Sequence, residues 1–116
     1  MTSDAPDRGD FVHVDFDPQA GHEQAGVRFA LVLSPRAFNV KTGLAFVAPI
    51  TSRQKGYPFE VPIPPGERVA GVVLADQARS LDWRTRRLKV KGKASDGVVE
   101  GVTGLLAAIL GIETGP

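Results

Sequence analysis

Two short polar segments hold the side chains best suited to chemistry: Glu23-Gln24-Ala25-Gly26-Val27-Arg28 and Thr51-Ser52-Arg53-Gln54-Lys55. A carboxylate, a guanidinium and a hydroxyl are a set able to cut RNA without a metal, the nucleophile being the substrate's own 2′-hydroxyl. The carboxylate would help to remove the 2′ proton. The guanidinium donates bidentately to phosphate and would offset the charge that builds on a phosphorane. The hydroxyl would orient a phosphate oxygen, so that the attack runs in line. Proton transfer is the weak link, because arginine, with a pKa above about 12, is a poor acid or base. By residue type alone, Arg28 reads first as a phosphate binder or structural ion pair and second as a catalyst.

Other catalytic kits are poorly supplied. The chain has no cysteine, which removes disulfides, a thiol nucleophile and Cys-ligated metal centres. Two histidines, His13 and His22, are too few for a His-rich metal site. None of the serines (Ser3, Ser34, Ser52, Ser80, Ser95) stands in a nucleophile-elbow context. Asp15 and Asp17, two apart in a strand, share a face and either take up a cation or simply meet solvent. No phosphate-cradling glycine motif occurs. No metal and no cofactor is therefore expected.

These side chains need a scaffold, and 116 residues suffice for one domain. It is expected over 9–112, after a frayed polar tail at 1–8. Strand-like runs fall at 11–16, 28–34, 44–50, 57–63, 71–75 and 86–91. In the first, Val12, Val14 and Phe16 share one face and Phe11, His13 and Asp15 the other. Pro58 and Pro62 mark the fourth as an edge or irregular strand. A loop occupies 17–26, a short helical turn 36–43, and a polar loop 51–56. The period then changes: Val98, Val99, Val102, Leu105, Leu106, Ile109 and Leu110 form one stripe of a helix over 96–110. Ser95 or Asp96 can cap its start and Gly111 its end. Gly97, Gly101 and Gly104 each cost about 1 kcal/mol against alanine, so packing must hold this helix. They either permit close backbone approach or reflect composition. The expected fold is mainly β with a C-terminal helix, a small curved barrel or half-barrel.

Charge is unevenly spread. The formal net charge is +1, yet Arg79 to Lys93 carries seven cations against Asp82, a local +6. The remainder holds seven cations and twelve anions, or −5. Such a segment attracts polyanions, or is a solvated face. Alternation puts Arg87, Lys89 and Lys91 on one side and Leu88 and Val90 on the other, free to enter a core. The first eight residues hold no apolar export region, and Val98–Ile112 is too short and interrupted to span a membrane. A soluble cytoplasmic protein is expected.

Several segments together resemble the MazF/PemK-type toxins. They are Gly9-Asp10-Phe11-Val12-His13-Val14-Asp15-Phe16-Asp17-Pro18, Gly21-His22-Glu23-Gln24-Ala25-Gly26-Val27-Arg28, Leu33-Ser34-Pro35, Lys55-Gly56-Tyr57-Pro58-Phe59-Glu60-Val61 and Asp76-Gln77-Ala78-Arg79-Ser80-Leu81-Asp82-Trp83-Arg84. Asn39-Val40-Lys41-Thr42-Gly43 and Pro49-Ile50-Thr51-Ser52 extend the likeness, which covers about residues 8–112 in order.

The resemblance implies an SH3-like barrel and a homodimer. It also implies the toxin of a type II toxin–antitoxin pair, a metal-independent, sequence-specific endoribonuclease that leaves 2′,3′-cyclic phosphate and 5′-hydroxyl ends. It casts Arg28 and Thr51 as the catalytic pair, with Glu23 also implicated. Ser52, Arg53, Lys55, Gln77, Arg79, Arg84 and Arg86 are expected to contact single-stranded RNA. The partner implied is a small antitoxin whose acidic, disordered C-terminal tail covers the RNA groove, and the basic strand suits either polyanion.

Two residues depart from the pattern: Phe29 stands where proline usually follows the motif arginine, and His13 where an aromatic residue is usual. His13 offers either proton transfer or packing. Tyr57 and Trp83 offer either base stacking or core packing. Two other readings fit the same scaffold: a non-enzymatic toxin that binds a protein such as DNA gyrase, and an inactive RNA- or partner-binding module.

Overall fold

A computed structural model describes residues 4–16 and 26–113. Strands β1 (Asp10–Asp15) and β2 (Val27–Val32) precede helix α1 (Arg36–Thr42). Strands β3 (Leu44–Thr51), β4 (Glu60–Pro62) and β5 (Val72–Leu74) follow, then a 3-10 turn at Ala75–Gln77. Strands β6 (Arg79–Asp82) and β7 (Lys89–Lys93) lead into helix α2 (Asp96–Leu110). The ladder is antiparallel and runs β4-β5-β3-β2-β1-β7, with β6 also on β3. It is open, with β4 and β7 at its ends. The expected mainly-β fold with a terminal helix is what forms.

The long central strand β3 serves three partners. On one side it pairs with β2; on the other it pairs with β6 over Leu44–Val47 and with β5 at Ile50 and Thr51. Pro49, which has no N–H to donate, falls where the second side changes partner, so its missing donor interrupts neither ladder there.

Both faces of this sheet are covered. On one, Phe11, Leu31, Ala48, Ile50 and Val73 pack with Val98 and Val102 of α2. On the other, Val12, Val14, Phe16, Ala30, Val32, Val47, Leu81 and Trp83 form a second core. The alternation of the first strand thus feeds two cores. Burying a large aliphatic side chain in either stabilises the fold by roughly 1.5–3 kcal/mol. Gly101 settles one question about the helical glycines. A Cβ there would sit 3.2 Å from a Val61 methyl, so α2 approaches β4 closely at that point. Nothing lies within 4 Å of such an atom at Gly97 or Gly104.

The structure departs from several expectations. Residues 5–8 are not a frayed tail: Ala5 is 2% exposed, its carbonyl accepts from Arg36 Nε, and that of Pro6 accepts from Asn39 Nδ2. Asn39, fully buried, also donates to the Ser34 carbonyl, accepts from the Ser34 hydroxyl, and offers its own carbonyl to Trp83 Nε1. The fourth strand shrinks to Glu60–Pro62, as its prolines warned. The Arg79–Asp82 strand was not expected, and the basic strand starts at Lys89 rather than Arg86. Val90 does not enter a core but is 49% exposed, on a strand whose residues are exposed at four of five positions. Among the described residues, no helix is long and apolar enough to cross a membrane.

Candidate active site

Antiparallel register decides which distant residues meet. Strands β2 and β3 pair Val32 with Val47, Leu31 with Ala48, and Ala30 with Pro49. That ladder ends at Ala30 and Pro49, and two residues beyond it on each strand lie Arg28, near the start of β2, and Thr51, the last residue of β3. On its outer side Arg28 is paired with Val14 of β1, and Thr51 with Val72 of β5. A guanidinium and a hydroxyl separated by more than twenty residues of chain therefore share one end of the central sheet.

Both line a groove of about 1000 Å³. The loop after β3 contributes Ser52, Arg53, Lys55 and Tyr57 to its walls, and Glu60, Leu74, Asp76 and Gln77 complete them. Three built-in devices hold this wall. First, the Thr51 hydroxyl accepts the Arg53 main-chain N–H at 3.1 Å, a local turn that leaves the hydroxyl proton available for an outside acceptor. Second, Gly71 has φ +124°, and a Cβ there would overlap the Thr51 carbonyl oxygen. Only glycine lets the chain entering β5 press this closely on Thr51. Third, the Glu60 carboxylate gathers the main-chain N–H groups of Lys55 (3.1 Å), Gly56 (3.0 Å) and Tyr57 (3.3 Å). It closes the loop on itself and presents Lys55 and Tyr57 at the groove. Tyr57 is half-exposed, its ring packed edge-on against Phe59 at 5.6 Å.

A second cleft, of about 460 Å³, shares Arg28, Thr51 and Ser52 with the first. Its wall includes His13 and Phe29, which are register partners on β1 and β2 with ring centroids 5.0 Å apart. The two departures from the family pattern are therefore a single cross-strand pair.

Of the residues singled out from sequence, Arg28, Thr51, Ser52, Arg53, Lys55 and Gln77 come together at the groove. Glu23 lies outside the described residues. Arg79 sits opposite Val47 on β6, four residues back along β3 from Thr51, and does not line the groove. Nor do Arg84 and Arg86. The Arg84 guanidinium lies 4.8 Å above the Trp83 ring, and Arg86 donates to the Asp15 carbonyl at 3.1 Å, tying the turn to β1. Trp83 is 6% exposed and belongs to the core. Sequence reasoning passed over Glu60 and Asp76. The signal for Glu60 was its place five residues after Lys55 across a Gly-Tyr-Pro turn, which lets one carboxylate reach back to successive N–H groups.

Arg28, Arg53 and Lys55 give the groove its positive side chains, against Glu60, occupied by main-chain donors, and Asp76. A guanidinium and a donor hydroxyl facing one wall are equipped to hold two oxygens of a phosphodiester. Fold and groove together define a small antiparallel β protein whose principal site suits a polyanion. The chain belongs to the PemK-like, MazF-like toxins of type II toxin–antitoxin systems, the family description matching residues 7–110. It is 45% identical over 106 residues to the endoribonuclease toxin MazF of Escherichia coli K12, covering 91% of this chain and 95% of that one. It is similar to the crystal structure of MazF (Form-I) from Deinococcus radiodurans, with TM-score 0.90 and 55% identity over 93% of this chain and 98% of that one. The MazE–MazF (Form-II) structure from the same organism gives TM-score 0.84 and 54% identity, covering 94% and 98%.

Proposed function

We propose that this chain is an endoribonuclease toxin that cuts single-stranded RNA at the groove, without a metal and with sequence preference. The observation that carries the reading is that Arg28, from the start of β2, and Thr51, from the end of β3, line one groove. In this reading Arg28 donates to the non-bridging oxygens of the scissile phosphate and gains strength as charge builds there. Thr51, its acceptor lone pair engaged by Arg53, donates its proton to the same phosphate and fixes its orientation. Glu23 takes the 2′ proton. The O2′–P bond forms, the P–O5′ bond breaks, and the departing 5′-oxygen takes up a proton. The products are a 2′,3′-cyclic phosphate and a 5′-hydroxyl.

Ser52, Arg53, Lys55 and Gln77 hold the RNA along the groove, and Tyr57 offers a ring for an unpaired base. Arg79, Arg84 and Arg86 add a further cationic surface for RNA or for the acidic tail of a cognate antitoxin. The protein works as a cytoplasmic homodimer. The test is incubation with RNA in EDTA, followed by sequencing of the ends. Cleavage with cyclic phosphate ends is expected, and a 2′-deoxy nucleotide 5′ to the cut should abolish it. Cleavage that needs Mg²⁺ or survives the deoxy substitution would contradict the mechanism.

A further inference from the structure

We propose that the second cleft seats a nucleobase, that of the nucleotide across the scissile phosphate from the one held in the main groove. This rests on the reading of the chain as an endoribonuclease. A phosphodiester joins two nucleosides, so a site that grips the phosphate needs room on both sides of it. The two clefts, about 1000 and 460 Å³, share Arg28, Thr51 and Ser52, the residues that would hold that phosphate.

Strand alternation explains how one short segment serves both clefts. At the start of β2, Val27, Arg28 and Phe29 are all exposed, Val27 at 58% and Phe29 at 40%. Successive side chains point to opposite faces. Arg28 therefore projects from one face, and Val27 and Phe29 from the other. Phe29 continues the row of Leu31, and His13 that of Phe11, along the core that α2 covers. At Phe29 and His13 the row emerges from under the helix into the cleft. Its ring surface is thus open beside a polar site.

The wall has the chemistry of a base reader. Unpaired bases stack on aromatic rings, and their edges take hydrogen bonds. The His13 and Phe29 planes are inclined at 48°, so a base stacked on one would meet the other ring at a tilt. The imidazole adds nitrogen atoms able to bond a base edge. Arg68 brings a cation to the same cleft. Its aliphatic stem lies across β7 where Gly92 has no side chain, a position in which any Cβ would collide with it. Arg68, its stem held there, is among the residues that line the cleft.

The experiment is end-sequencing of a mixed RNA pool cut by wild type, Phe29→Ala, Phe29→Leu, His13→Ala and Tyr57→Ala, each checked by thermal melting and sedimentation. The Phe29 and His13 variants should cut roughly tenfold more slowly. They should change base preference at one and the same position flanking the cut, and Tyr57→Ala at the position on the other side. Phe29→Leu keeps apolar bulk without a flat ring and should still show the change. Unaltered preference in the Phe29 and His13 variants would overturn the proposal. So would a shift at the same position as Tyr57→Ala, or slower cutting explained wholly by loss of a dimer. No cleavage by wild type would overturn the parent reading and this one with it; cleavage with unaltered preference overturns this one alone.

Discussion

Gly71 lies against the main chain of Thr51 so closely that a single added Cβ would overlap the Thr51 carbonyl oxygen. Its φ of +124° also disfavours any other residue. Gly71→Ala should therefore move Thr51 away from its station in the groove that Arg28 also lines. RNA cleavage should fall by roughly 100-fold, the order of effect of misplacing a catalytic group by about 1 Å. The fold should survive, destabilised by about 1–3 kcal/mol. Steady-state cleavage and a denaturant melt check the two together.

Glu60 acts on the site through the loop it holds. Glu60→Ala would strip three successive N–H groups of their acceptor. These groups are exposed and water can replace the carboxylate, so stability should change by less than about 1 kcal/mol. The loop that presents Lys55 and Tyr57 should loosen. KM for RNA should then rise about tenfold and sequence preference should broaden, with kcat less affected. Cleavage kinetics on matched and mismatched RNAs separate these effects, and Glu60→Gln should recover part of the loss.

The central strands and α2 could be found from sequence because their apolar periods are strong, and the helix bounds of 96–110 match the structure. Strand β6 could not, since Arg79-Ser80-Leu81-Asp82 offers only Leu81 to a core. The basic strand begins at Lys89, three residues later than its alternation predicts. A turn intervenes in which the Asp82 carboxylate accepts the N–H groups of Arg84 and Thr85, and Arg87 takes φ +54° without being glycine or asparagine. For the site, residue type nominated Arg28 and Thr51, but only the pairing of β2 with β3 brings the ends of the two strands to one groove. Register is a property of the paired strands, which neither segment carries alone. Glu60 escaped notice because its partners are main-chain groups, which every sequence has.

Gly104 is a glycine that α2 does not need. Open space surrounds the position a Cβ would take, and the backbone there is helical. Gly104→Ala should stabilise the protein by about 1 kcal/mol and raise Tm by roughly 4 °C, with cleavage unchanged. At Gly101 the added methyl would press on Val61, 3.2 Å away, and the gain should be lost. Parallel thermal melts of the two variants make the comparison.

Acid should weaken the fold through Asp7. Its carboxyl is held below the ordinary 3.8 chiefly by the Arg36 N–H, with help from the Arg8 N–H and the Lys93 and Arg36 charges, against partial desolvation. A carboxyl depressed in the folded state adds stability above its unfolded value and loses it as pH falls through the folded one. Unfolding free energy should therefore drop as pH falls below 3.8, and Asp7→Asn should flatten that limb. Asp82, lowered by the Thr85 N–H first and the Arg84 N–H next, titrates in the same direction. Urea melts across the acid range check the slope.

The claim on which the rest depends is that Arg28 and Thr51 act on one phosphate as a unit. The most direct test is single-turnover RNA cleavage in EDTA by wild type, Arg28→Ala, Thr51→Ala and the double variant. Each single change should slow cleavage by roughly 100- to 1000-fold, and the double variant should be little slower than the worse single one. Near-wild-type rates in either single variant, or losses that multiply fully in the double, would contradict it.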